Sequence, residues 1–462
     1  YVHSYWKRKM KLFAKRAYLK DGWACDVRVV LNAGNIAELT TSTSPEPGDI
    51  CVDSLLPALS NLHSHSFQRA MAGMTEFRAK GRESFWTWRD LMYRFLDNLT
   101  PDQIGAIAAL AFMEMQKSGY AAVGEFHYIH HAVGGQTYDN PAELSSRIFE
   151  AATETGIGLT HLPVLYSYGD GGQKPLSGGQ LRFGNTIDQF AELVARCKVG
   201  ASAHNPDTKV GIAPHSLRAT SPSDLAQVLQ YYPDGPIHIH IAEQTKEVET
   251  VQAVLGARPV EWLLDNADVD PRWCLIHATH MTDAETITLA RTGAVAGLCP
   301  ITEANLGDGT FNGAIYLNAG GGFGVGTDSN VNIALVEELR MLEYSQRLKH
   351  RERNVLAPNE GSTGETLYRA AAKGGAQALG RNAGEIAVGK LADLVAIDST
   401  DPTLCALRSE QILDGYIFAT RDRVVTDLWS AGRHTVKGQR HIAEEKVITN
   451  YRAAIGELME TI

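Results

Sequence analysis

The sequence predicts an α/β protein: a (β/α)8 TIM-like barrel with a small β-sandwich domain built from both chain ends. Three observations carry this prediction. Between about Leu56 and Leu379, eight short apolar runs alternate with longer amphipathic segments. Both ends of the chain instead carry short β-like pieces broken by glycine turns. Finally, five potential metal ligands fall at the ends of four of the apolar runs, where barrels of this kind place their chemistry.

The first end, 1–55, contains KLFAKRAYL and DVRVVL, with breaks at Gly22 and Gly34. The barrel region, 56–380, contains the candidate strands ALSNLH, AAVGEF, GLTHLPVLY, KVGIAP, PIHIHIA, WCLIHA, AVAGLC and GGFGVGT. Helix-like stretches separate them, among them Pro101 to Lys117, Thr186 to Cys197, Ser221 to Leu229 and Asp283 to Arg291. A helical stretch from Thr363 to Leu379 closes this region. In 381–462, ADLVAID, RVVTDLWSAGR and HTVKGQR read as strands, and a last helix runs from about Glu444 to Met459.

The chain has 462 residues, enough for a large domain with a smaller companion. Its formal charge of −10 disfavours nucleic acid and anionic membrane as partners, because both would be repelled at long range. Six cysteines are scattered with no C-x-x-C pair, the pattern of free thiols in a reducing cytosol. The start is basic (KRKMK at 7–11) and lacks an apolar run, so no signal peptide is read there. No apolar stretch approaches the ~20 residues of a membrane helix. A cytoplasmic protein is expected.

His63 and His65 close the first strand, and residues i and i+2 of a strand point to the same side. His240 ends the fifth strand, His277 the sixth and Asp328 the eighth. An H-x-H pair alone is weak evidence; the set at four strand ends is not. Three imidazoles and a carboxylate suit Zn²⁺ with an open water position, and also admit Fe²⁺ or Mn²⁺. His238 shares the face of His240 but lies deeper, and reads as packing. His280 follows His277 by three, and both readings stay open. His127, His130 and His131 cluster after the second strand and read as loop residues.

A bound metal supplies hydroxide at neutral pH, and proton movement then needs a carboxylate or imidazole beside it. Asp328 is placed to bind metal and accept the water proton. Glu243, three residues beyond His240, is a second carboxylate placed beside the metal to move a proton.

The strand-end set resembles that of the amidohydrolase superfamily. The segments HSHSFQRAMAG, ESFWTWRDLMYRF, HIHIAEQ, LIHATH, LCPITEANLGDG and GVGTDSNVNIALVEELRMLEYSQR narrow the resemblance to the formimidoylglutamate deiminase family. It implies a (β/α)8 barrel, and hydrolysis of N-formimino-L-glutamate to N-formyl-L-glutamate and ammonia. In binuclear superfamily members a modified lysine ends strand four. Here strand four reads KVGIAPHS, with Lys209 at its start and His215 at its end, so one metal ion is expected, held by His63, His65, His240 and Asp328. Glu243, His277 and Asp328 are the implied catalytic groups.

The implied substrate carries two carboxylates, which call for fork-shaped cationic donors. Arg89 and Arg218 are the matching positions, with Gln68, Tyr128 and His215 at the other substrate-contacting ones. Trp86 and Trp88 read as packing for the segment that carries Arg89. The resemblance also implies a homodimer. Two rival readings remain: a superfamily deaminase or hydrolase for a heterocycle such as guanine or an imidazolone, and a barrel that has lost catalysis. The two arginines speak against the first, and the complete ligand set against the second.

Overall fold

The computed structural model describes residues 9–77 and 85–461; residues 1–8 of the basic start and the side chain of Trp86 lie outside the described residues. The terminal sheet takes β1 (Met10–Leu19), β2 (Gly22–Asn32), β3 (Asn35–Thr40) and β4 (Ile50–Pro57) from the first end. The barrel region holds β5 (Leu59–Ser64), β6 (Tyr120–His127), β7 (Gly158–Leu165), β8 (Lys209–Val210) and β9 (Ala213–Pro214). It continues with β10 (Ile237–Ile241), β11 (Trp273–His277), β12 (Val295–Leu298) and β13 (Gly322–Val325). The other end supplies β14 (Leu394–Ile397), β15 (Val425–Ser430), β16 (Arg433–Lys437) and β17 (Arg440–His441). Sequence reading missed β3 and β4, whose mixed polar composition hides them.

Strands β5 to β8 form one parallel sheet, with β9 also on β7, and β10 to β13 form another. β5, β6, β7, β10, β11 and β12 are buried along their whole length, which explains their near-continuous apolar runs. The two sheets meet on both sides. A parallel bridge joins Ile212 to Ile237, and another joins Ser64 to Asp328. At the second seam the Asp328 amide donates to the His63 carbonyl at 3.0 Å, and the His65 amide donates to Asp328 at 2.9 Å. The expected strand KVGIAP is broken at Gly211, where a Cβ would sit 2.6 Å from the Pro236 carbonyl.

The helix Thr363–Ala378 stoppers the interior where the strands begin. A Cβ on Gly374 would lie 1.9 Å from the Phe323 carbonyl oxygen, so only glycine permits this approach. Beyond it, Ala378 and Leu379 pack with Leu62, Ala122, Cys274, Ile276, Val295 and Cys299 beneath the histidine cluster.

Both chain ends meet in one mixed sheet of order β17-β16-β15-β14-β4-β1-β2-β3. β1 runs parallel to β4, and β4 is antiparallel to β14, which sews the two ends together. Leu12, Val29, Leu31, Leu394, Ala396 and Trp429 belong to a separate apolar cluster on this sheet. Only Ala58 separates β4 from β5, and its amide donates to the Asp393 carbonyl at 3.0 Å. The strand carrying His63 is thus anchored directly to the terminal sheet.

A buried ion network braces this junction. Arg381 grips Asp393 through two bonds of 3.0 Å and Asp207 through a third of 3.0 Å. Arg433 grips the same Asp207 at 2.7 and 2.9 Å. Among the described residues, no helix is long and apolar enough to cross a membrane.

Candidate active site

β5 delivers His63 as its penultimate residue, and His65 follows the strand, so both rings face the same interior. The alternation of IHIHI in β10 does the same for His238 and His240. The Nε2 atoms of His63 and His240 face each other at 3.1 Å. Asp328 Oδ1 lies 3.3 Å from His65 Nε2 and 3.5 Å from His63 Nε2. His63, His65 and His240 form a group able to hold a metal ion, with ligand atoms all within 4.8 Å of one another. His65 Nδ1 donates to the Phe126 carbonyl at 2.9 Å, which leaves its Nε2 lone pair for the centre.

Burial sets the charge states here. It pushes His63 down to about 3 and holds His65 and His240 below their ordinary value, so all three are neutral bases. Burial pushes Asp328 the other way, but His63 and then the other imidazoles overcome it and keep the carboxylate ionised. Neutral imidazoles with one anionic carboxylate are the protonation states metal binding needs.

His277, at the end of β11, sits 3.7 Å from both Glu243 Oε1 and Asp328 Oδ2 through its Nε2. Its Nδ1 lies 3.2 Å from Glu303 Oε1. Burial opposes a charge on this ring, yet Glu243, Glu303 and Asp328 together hold it well above its ordinary value. Glu243 is pushed up to about 7 by burial, with His277 pulling back. The backbone is strained at this rim: Ala242, His277, Ala278, Asp328 and Asn330 all take left-handed conformations, with φ between 45° and 69°. Such residues cost roughly 1–3 kcal/mol each and persist where surrounding structure enforces them.

One cavity opens above the cluster, lined by His65, His240, Glu243, His277 and Asp328. Its other walls include every substrate position expected from sequence: Gln68, Arg89, Tyr128, His215 and Arg218. Gln68 donates to the Tyr128 hydroxyl at 2.7 Å. Arg89 stacks over the Tyr93 ring at 5.3 Å, and an Arg218 guanidinium nitrogen lies 3.9 Å from Asp170. His215 packs its ring 4.5 Å from Tyr166 and 4.9 Å from His240. Trp88 lines the same wall.

Residues 54–435 match the Amidohydrolase family, and residues 10–51 match the N-terminal domain of formimidoylglutamate deiminase HutF. Formimidoylglutamate deiminase of Pseudomonas aeruginosa is 48% identical over 454 residues, covering 97% of this chain and 99% of its own. The chain belongs to the formimidoylglutamate deiminase family of amidohydrolases. The family is one of metal-dependent hydrolases acting on carbon–nitrogen bonds. An amidohydrolase from Brucella melitensis has the same fold at a TM-score of 0.94, with 46% identity, covering 97% of this chain and 100% of that one. An adenosine deaminase from Xanthomonas campestris, solved with bound zinc, shares the fold at a TM-score of 0.81 and 21% identity, covering 98% of each chain. These likenesses give the chain a TIM-barrel fold.

Against the family's pattern the remaining histidines sort cleanly. His238 Nε2 donates to the Ala378 carbonyl at 2.8 Å, a packing contact beneath the cluster. His280 Nε2 donates to the Asp308 carbonyl at 2.9 Å and anchors a loop. His130 and His131 are in the loop after β6, but His127 is the last residue of β6 itself, buried 5.2 Å from the His161 ring. The loop reading of His127 is corrected: the strand runs one residue further than its apolar run. Lys209 donates to the Gly380 carbonyl, just beyond the stopper helix.

Sequence reading missed Glu303, Asp308, Tyr166 and Phe183. Glu303 and Asp308 stand inside the CPITEANLGDG segment, so a signal existed, though nothing in it distinguished a buried acid from a solvated one. Asp308 is buried, accepts from the Gln244 side chain, and is pushed up to about 9 by burial and by Glu243.

Proposed function

We propose that this chain hydrolyses N-formimino-L-glutamate to N-formyl-L-glutamate and ammonia, using one Zn²⁺ held by His63, His65, His240 and Asp328. The single observation that carries the substrate is the placement of Arg89 and Arg218 on the walls of the cavity that holds the histidine cluster. A dicarboxylate needs two such donors, whereas a neutral heterocycle such as guanine needs neither. The 48% identical relative bears the corresponding activity in its name.

The donor set fits a metal ion. His63 and His240 present Nε2 atoms to each other at 3.1 Å, and buried Asp328 adds the one negative charge. Bound there, the ion supplies Lewis acidity and a water of lowered pKa. The same ligands admit Fe²⁺ or Mn²⁺. Strand four offers His215 where a bridging lysine would stand, which supports one ion per chain.

The residues then divide the work. Arg89 and Arg218 bind the two carboxylates, and Gln68, Tyr128 and His215 orient the formimino group against the cluster. Asp328 accepts the proton of the water that adds to the formimino carbon, and His277, 3.7 Å away, relays it. Glu243 holds the imino nitrogen as it gains protons and leaves as ammonia; with its carboxyl near 7, it can exist in either form.

The bridges at both seams support a closed eight-stranded barrel over 56–380. The segments 1–55 and 381–462 share one eight-stranded sheet with its own apolar cluster, and folding of that sheet onto itself would make the β-sandwich expected from the sequence. We place the protein in the cytoplasm as a homodimer, a state that size-exclusion chromatography tests. The function is tested by ammonia release from N-formimino-L-glutamate beside guanine, with elemental analysis of the purified protein. Turnover of the former with about one zinc per chain is expected; no turnover of it overturns the assignment.

A further inference from the structure

Glu303 is not among the residues the resemblance singled out, yet its carboxylate is held by a backbone amide and faces a ring of the site. It sits on the short helix Pro300–Leu306, and its side chain is buried. Its Oε1 accepts from the Cys299 amide at 2.9 Å and faces His277 Nδ1 at 3.2 Å. Its own amide donates to the Cys299 carbonyl at 2.8 Å, and its carbonyl accepts from the Asp308 amide at 2.9 Å.

The helix that carries it is clamped from two further sides. Thr302 Oγ1 donates to the Thr327 carbonyl at 3.2 Å and lies 2.9 Å from Ser329 Oγ, which ties the helix to the segment bearing Asp328. The Ile301 amide donates to buried Glu338 at 2.9 Å. Glu303 therefore has no freedom to follow His277; the imidazole must conform to the carboxylate.

We propose that Glu303 is the positioning residue of His277. A carboxylate that already accepts a backbone N–H can only accept from the ring, so Nδ1 carries hydrogen and donates to Glu303. Nε2 is then the nitrogen turned to Glu243 and Asp328, both at 3.7 Å, and the one through which protons are exchanged. Carboxylates behind catalytic and metal-bound histidines act this way, fixing tautomer and ring plane. The strained φ of 69° at His277 adds a reason: the strand end alone does not hold the ring, so a second anchor must.

The inference rests on the proposed role of His277, and its test separates the two. Glu303→Gln keeps shape and an acceptor for the Cys299 amide; Glu303→Ala removes both. Kinetics with N-formimino-L-glutamate should show kcat falling about 10- to 100-fold in Glu303→Ala and by less in Glu303→Gln, whose side-chain oxygen still accepts from Nδ1–H. KM and zinc content should stay within about 3-fold of the parent. Independently of any substrate, ¹⁵N NMR of the histidine rings should show a hydrogen-bonded Nδ1–H on His277 in the parent, lost in Glu303→Ala. An unchanged Nδ1–H signal, or a loss confined to KM or zinc content, overturns the proposal. Should the parent itself not turn over this substrate, the NMR comparison still decides the hydrogen bond, and the function alone falls. If Glu303→Ala does not fold, Glu303→Leu, which fills the space without an acceptor, carries the test: kcat within about 2-fold of the parent overturns the proposal.

Discussion

Asp207, Arg381, Asp393 and Arg433 lie where the barrel strands begin; His63, His65, His240, His277, Glu243 and Asp328 lie where they end. Both sets are buried and ionisable, yet they are built on opposite terms. In the first, two guanidinium groups and two carboxylates balance, and each carboxylate accepts several bonds of 2.7–3.0 Å. In the second, imidazoles crowd against imidazoles, the imidazole–carboxylate distances stretch to 3.3–3.7 Å, and the backbone is strained. The difference marks purpose. A satisfied buried network holds two parts of a fold together, while converging, unsatisfied donors are groups waiting for a partner from outside.

The comparison breaks most visibly at Asp328. Asp328→Asn should lower ammonia release by on the order of 10⁴-fold and reduce zinc content, because it removes both a ligand and the proton acceptor. Chemical unfolding should show a stability close to the parent's. The mirror experiment is Asp207→Asn, which leaves two buried guanidinium groups short of their counter-charge. A loss of about 3–5 kcal/mol is expected in denaturant titration, with kcat per folded molecule retained. Equal damage to activity and stability in both variants would erase the distinction.

A smaller effect tests the upper wall of the site. Arg89→Ala and Arg218→Ala should each weaken kcat/KM by about 10- to 150-fold, the value of a charge-assisted hydrogen bond of about 1.5–3 kcal/mol. Neither should alter zinc content. A preference shifted from N-formimino-L-glutamate to a neutral amidine would strengthen the reading.

The smallest effect concerns pH and has opposite signs at the two ends. Asp207 is held down to about 2, because Arg433 and Arg381 outweigh burial. Its stabilisation is therefore full above its ordinary carboxylate range and is lost as pH falls toward 2. Glu243 is raised by burial to about 7, so the folded chain keeps a proton that the unfolded chain has released. Its contribution is lost as pH rises from about 4.5 to about 7. In chelated protein, Glu243→Gln should flatten that decline; in the zinc-loaded protein it should abolish most turnover. A stability profile identical to the parent's would mean that burial does not hold a proton on Glu243.

How much was legible depended on periodicity. His63 with His65, and His238 with His240, were readable because strand residues two apart share a face, and apolar runs announce buried parallel strands. His277 and Asp328 were readable because they end such runs. Gln68, Arg89, Tyr128, His215 and Arg218 came from resemblance alone, and the cavity gathers them. Glu303 and Asp308 were not legible as site residues. They belong to a short helix and loop with no repeat to mark an inward face, and a buried acid has the same letter as a solvated one.

By itself, then, the sequence determined the alternation of strands and helices, the family, and the set of histidines and acids brought to the strand ends, because those follow from local pattern and shared motifs. Only the tertiary structure decided that the two ends, expected to share a domain, form a single sheet braced by Asp207, that the Gly374 approach stoppers the interior, and that Glu303 stands behind His277. Those depend on contacts between segments tens to hundreds of residues apart, where packing and burial, not local preference, set which groups meet and what charge they carry.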